Sequence, residues 1–225
     1  MAILLLGVAG PAQADPIFYT LSGIATGTIG GATFEDALVT WTMHSDTDNV
    51  VPNSEFEDDG VVIPAGLYFI NVSSLTTVDI AGIGTALVTD PSAVYGFPIP
   101  VDINDDGTVD PPLVVFGTID DFPVLESFTG LGGIGSDALA GYDLRTAFAP
   151  ITGPGGVGHP PSLSVNTSLG ALRFASNIEF SNRGTFTATV TTVPEPGSLL
   201  LLGTGLVSLV GARSRFRDPR RTTSK

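Results

Sequence analysis

The chain has 225 residues, no cysteine, and 23 Asp and Glu against 9 Lys and Arg, for a formal net charge of −14. Without cysteine there are no disulfide staples, thiol nucleophiles or thiolate metal sites, so stability rests on burial and hydrogen bonding. Six of the nine basic residues fall in the last thirteen positions, which leaves residues 15–192 with 21 acidic residues and only Arg145, Arg173 and Arg183; such a surface repels nucleic acid and anionic headgroups, whose phosphates need Lys and Arg.

The chain begins MAILLLGVAGPAQADP. An apolar run leads to Ala12-Gln13-Ala14, with small residues at the positions a signal peptidase requires, so residues 1–14 read as a signal peptide, although no Lys or Arg precedes the run. Residues 15–192 are then expected to form one acidic domain. Strand-like segments follow at 17–28, 37–43, 67–80, 84–89, 113–118, 124–128, 169–174 and 177–180, separated by Gly, Pro, Asn and Asp clusters. The last, 184–193, alternates strictly, with Thr185, Thr187, Thr189 and Thr191 on one face and Phe186, Ala188 and Val190 on the other. Residues 136–147 are the one segment of the body that suits a helix, with an extended segment as the alternative. Many short strands without a helical period predict an all-β fold, an antiparallel β-sandwich or jelly roll.

Asp102, Asn104, Asp106, Thr108 and Asp110 match the first nine positions of a calcium loop: oxygen ligands at 1, 3 and 5, Gly107 at the sharp turn, a backbone carbonyl at 7 and Asp at 9. Position 12 is Leu113 where a bidentate Glu belongs, so a strand-connecting calcium loop is expected and not an EF-hand. Asp120, Asp121 or Glu126 would supply the missing carboxylate; the alternative is a solvated Asx-rich turn. A second acidic run, Asp46, Asp48, Glu55, Glu57, Asp58 and Asp59, has no regular ligand spacing.

Catalytic patterns are mostly absent. Gly130-Leu-Gly132-Gly-Ile-Gly135 lacks the βαβ context of a dinucleotide site and reads as a glycine-rich loop. His44 and His159 sit in no hydrolase or metal-site motif, and no enzyme activity is expected. Trp41, Tyr68, Tyr95 and Tyr142 are read first as core aromatics, with stacking platforms for a carbohydrate as the alternative. The Thr185 to Thr191 row could order water or bond sugars, but no internal repeat stacks several such rows, and a half-exposed strand accounts for it.

The chain closes on VPEPGSLLLLGTGLVSLVGARSRFRDPRR. Residues 198–212 carry no charge and would make a helix about 22 Å long, short of the roughly 30 Å hydrocarbon core. The arginines that follow can snorkel to the far headgroups and favour a cytoplasmic C-terminus, so a single transmembrane helix with the body outside is expected. Pro194-Glu195-Pro196, the apolar run and the arginines together resemble the PEP-CTERM sorting signal of exported proteins of Gram-negative bacteria. That resemblance makes residues 193–225 a sorting segment and Pro194, Glu195 and Pro196 its recognition element. An exosortase-type enzyme would be the processing partner, and the cell surface or extracellular matrix the destination. The body is similar to extracellular domains commonly joined to that signal, through Gly30-Gly31-Ala32-Thr33-Phe34, Asp46-Thr47-Asp48-Asn49-Val50 and Gly141-Tyr142-Asp143-Leu144-Arg145, and no activity follows from them. The expectation is a non-catalytic, calcium-stabilised surface protein; the alternatives are a carbohydrate-binding module for exopolysaccharide or a carboxylate-based hydrolase.

Overall fold

Alternation of apolar and polar residues becomes alternation of buried and half-open positions along most strands of the structure, a computed structural model. It describes residues 14–53, 56–58, 61–63, 65–100, 109–121, 124–159, 161–175 and 183–192, with only the backbone for 56–58, 61–63, 120–121 and 124–129. The predicted signal peptide, the strand at 177–180 and the sorting segment beyond Thr192 lie outside them. In chain order the strands are β1 (Pro16–Ile29), β2 (Ala32–Asp46), β3 (Val50–Pro52), β4 (Phe56–Asp58), β5 (Val61–Ile63), β6 (Phe69–Val72), β7 (Leu75–Ile80) and β8 (Gly84–Leu87). There follow β9 (Ser92–Phe97), β10 (Leu113–Asp121), β11 (Val124–Gly135), β12 (Phe148–Val157), β13 (Val165–Thr167), β14 (Gly170–Phe174) and β15 (Arg183–Val190). The described residues contain no α-helix. Within residues 136–147 there is a single 3-10 turn, Asp137–Leu139, entered through Ser136, whose hydroxyl accepts from Ala138 N.

One antiparallel sheet carries nearly all of this, in the order β3-β6-β9-β10-β11-β12-β15-β1-β2-β7-β8, with β4 and β5 forming a separate hairpin. The sheet curls until its two halves share a core. Ile17, Tyr19 and Leu21 of β1, Val39, Trp41 and Met43 of β2 and Phe186 of β15 pack in one cluster with Val94 of β9, Val114 and Phe116 of β10 and Leu131 of β11. Each large apolar side chain so enclosed contributes about 2 kcal/mol relative to exposure. The expected antiparallel sandwich is therefore built from a single curled sheet, and these contacts gather Asp15–Thr191 into one compact unit.

The passage between halves runs through glycine. Gly132, Gly133 and Ile134 of β11 pair with Val157, Gly156 and Gly155 of β12, so the segment read as a glycine-rich loop is a strand. A Cβ on Gly132 would lie 2.6 Å from the Gly156 carbonyl oxygen and 2.7 Å from Leu21 Cδ2; at Gly155, with φ +124°, it would meet the Gly133 oxygen at 2.1 Å. Only residues without side chains let the two strands cross this closely.

Two devices close the curl. Asn71 of β6 donates through Nδ2 to the Tyr19 hydroxyl at 2.7 Å and accepts at Oδ1 from Ser45 of β2, while Tyr19 donates to the Leu144 carbonyl. These bonds tie one end of the sheet path to its middle through fully buried polar groups, which cost little only because they are mutually satisfied. At the other end, β13 and β14 form a hairpin on the second half of β1, beyond a bulge at Ala25/Gly27. Thr89 N donates to Asn166 O and Ser168 N to Leu87 O, so the free edge beyond β8 is met by β13. Strands β1, β2, β7, β8, β13 and β14 thus make a closed ring, which removes a pairing template from the surface.

Candidate functional site

The residues singled out for calcium and for sorting fall largely outside the described chain. Asp102, Asn104, Asp106 and Thr108 lie there, as do Pro194, Glu195 and Pro196. Asp110 is described: its Oδ2 is shielded from solvent and has no hydrogen-bond partner among the described residues. Among those residues no three His, Cys, Asp or Glu side chains come together in a way that could hold a metal.

The four aromatic candidates for stacking are core residues. Trp41 and Tyr95 are fully enclosed, Tyr68 is 4 % exposed and Tyr142 6 %. Tyr142 lies against Phe148 and Phe186, and Tyr68 against Phe97. The reading as core aromatics holds, and the alternative of rings presented to a sugar is set aside by this burial. Burial also pushes the phenols of Tyr19 and Tyr142 well above their ordinary range, partly offset at Tyr19 by the bond from Asn71.

His159 is fully buried with its ring edge-on to Phe174 at 5.1 Å, and His44 sits edge-on to Phe18 at 4.5 Å. Two open depressions mark the surface. One, of about 400 Å³, is lined by Ser73, Ser74, Thr76, Asp90 and Ser92 among others; its carboxylate is already engaged, since Asp90 accepts from Asn166 N and Nδ2 at 2.8 and 2.9 Å. The other, of about 360 Å³, is lined by Thr26, Thr28, Thr33, Glu35 and Arg173 among others. Each has a single carboxylate on its wall, whereas glycoside hydrolysis needs two flanking one bond.

What the sequence reading missed is the breadth of the hydroxyl surface. Thr185 and Thr187 were read as one half-exposed strand, but strand pairing carries their rows across the sheet. Thr187 is directly opposite Thr20, Thr20 opposite Thr42, and Thr42 opposite Thr77. One step along, Thr152, Thr185, Ser22, Thr40, Asp79 and Thr85 are successive partners across six strands. Because residues i and i+2 share a face, both rows stand on the outer side, opposite Tyr19, Leu21, Trp41 and Val78. The signal was available in single strands, in Tyr-Thr-Leu-Ser and Val-Thr-Trp-Thr as well as in β15; only the register brings them together.

Comparison with known proteins finds one match, to the family model described as the PEP-CTERM protein-sorting motif, over residues 192–215. No curated protein and no solved structure matches the chain. Among the described residues no helix is long and apolar enough to cross a membrane, and the apolar run at 198–212 lies outside them. The motif begins directly after the last residues of the body, and it identifies the chain as an exported protein that carries a PEP-CTERM sorting signal for an exosortase-type enzyme.

Proposed function

We propose that this protein is a non-catalytic component of the cell surface or extracellular matrix, delivered by its C-terminal signal and stabilised by calcium. The observation that carries the reading is the sorting motif at 192–215, set immediately behind a closed acidic β body. Pro194, Glu195 and Pro196 are the recognition element, the apolar run anchors the precursor by a single transmembrane helix, and removal of that helix releases the body outside. Mass spectrometry of the surface fraction should find the C-terminal peptide lost in the wild type and retained in an exosortase-deficient strain. An identical C-terminal peptide in both strains would refute sorting by this route.

For calcium, the support is the ligand spacing at Asp102, Asn104, Asp106, Thr108 and Asp110, with the shielded, partnerless Oδ2 of Asp110 at its end. A carboxylate oxygen withdrawn from water without a donor is destabilising unless a cation joins it. Millimolar calcium is expected to raise the Tm by about 3 °C over chelator-treated protein. D106N and D110N should each abolish that rise; a rise that survives both places the ion elsewhere.

A further inference from the structure

The outer face of β12, β15, β1, β2, β7 and β8 is a field of hydroxyls flanked by rows of mixed polarity. Its two central rows are Thr187-Thr20-Thr42-Thr77 and Thr152-Thr185-Ser22-Thr40-Asp79-Thr85. Beyond one row stand Thr189, Phe18, His44 and Leu75, and beyond the other the exposed Arg183 of β15 and the cross-strand pair Ile24 and Leu38, 53 % and 49 % exposed. At about 4.8 Å between strands and about 6.8 Å between rows, the two rows run roughly 24 Å across the strands and stand roughly 7 Å apart along them. The hydroxyls of Thr20, Ser22, Thr40, Thr42 and Thr77 bond to no protein group among the described residues. Asp79, the acidic residue in these rows, accepts from Thr85 at 2.7 Å.

From this geometry we infer that the face binds a single chain of a neutral polysaccharide. Each hydroxyl both donates and accepts, as each sugar hydroxyl does, and each threonine adds a methyl for the apolar face of a sugar ring. The charge pattern points the same way: an almost uncharged field on a body of about −18 suits a neutral polymer and not an ionic one. A protein partner is disfavoured by the layout, since protein interfaces place an apolar centre inside a polar rim and the centre of this face is made of hydroxyls. A rigid plane, whether ice or a crystalline glycan, is disfavoured by twist. Adjacent strands rotate by about 20–25°, so hydroxyls of a six-strand row are not coplanar, whereas a flexible chain can follow one.

The test is affinity electrophoresis of the full-length chain, purified in mild detergent, through gels containing laminarin, xyloglucan or dextran, beside sedimentation with crystalline cellulose. Retardation by at least one soluble glycan is expected, weakened about tenfold in the double variant Thr20→Val, Thr42→Val, which removes two hydroxyls at nearly constant shape. Leu163→Ala, away from the face, should bind as wild type does. Thermal melts establish that the variants are folded; if the double variant is not, Thr77→Val alone should still weaken binding severalfold. Absence of retardation by all three soluble glycans, equal retardation of wild type and variants, binding to crystalline cellulose alone, or self-association abolished by the same substitutions would each overturn the inference. These readouts are made in vitro and do not depend on sorting, so failure here leaves the exosortase experiment standing.

Discussion

Strand β9 buries all six of its residues, Ser92–Phe97, whereas β2 buries Val39, Trp41 and Met43 and leaves Thr40, Thr42 and His44 half open. Both belong to one sheet and both face the shared core with alternate residues. They differ on the other side: Ala93, Tyr95 and Phe97 of β9 lie in a second apolar cluster with Tyr68, Ile70, Leu113 and Ile119, while the corresponding face of β2 is the hydroxyl field. Periodicity in a sequence therefore reports how many faces a strand buries, and a strand covered on both sides carries none.

The largest effect should come from the covered side. Tyr95→Ala on β9 is expected to cost about 4 kcal/mol, as for other large buried aromatics, whereas Thr42→Ala, on the same side of the neighbouring half, should cost under about 1 kcal/mol. Urea unfolding of the two variants measures the contrast, and equal costs would break it. At the junction between the halves, Gly155→Ala forces a side chain into φ +124° against the Gly133 oxygen; a loss of about 3 kcal/mol is expected in the same assay. Asn71→Leu strips partners from Tyr19 and Ser45 inside the core and should cost about 2 kcal/mol by thermal melting.

Alkali probes the same closure. The Tyr19 and Tyr142 phenols are held above their unfolded value near 10, so the folded state keeps protons that the unfolded chain has released. Their contribution is complete below about pH 10 and is lost as pH rises from there through the folded values. Stability should fall from about pH 10 upward, less steeply in Tyr142→Phe; an unchanged slope would remove Tyr142 from the account. The smallest effect belongs to Thr42→Val, within about 0.5 kcal/mol of wild type, since a half-open strand position accepts either β-branched residue.

These contrasts also explain what the sequence disclosed. Strands β1, β2, β7 and β15 were legible because each shows one face to solvent and alternates. Strand β9, Ser-Ala-Val-Tyr-Gly-Phe, was missed for want of alternation, and β12 because Pro150, Gly153, Pro154, Gly155 and Gly156 read as punctuation, although Gly153 and Gly155 allow the close approach of β12 to β11. The aromatic residues obeyed the rule for bulk more than for polarity: Trp41 alternates with the half-open positions of β2 and points inward, and Tyr95 lies in the second apolar cluster on the other side of β9. The hydroxyl field was hidden for another reason. Its members come from six strands and lie up to 167 positions apart along the chain, between Thr20 and Thr187, and only pairing register assembles them. The sorting signal was fully legible because it is read as a linear segment.

The pairing of first strand with last also sets the order of events during export. Tyr19 lies opposite Ala188 and Ile17 opposite Val190, and Thr191 N donates to the Pro16 carbonyl. The middle of the sheet thus stays incomplete until almost the whole body has been threaded across the membrane, and contacts so distant in sequence form slowly. The next residues to arrive are those of the sorting motif, beginning at 192. On the proposed reading, an anchor placed there holds the newly emerged chain at the bilayer during the interval in which β1 finds β15, and release follows only once there is a finished domain to release.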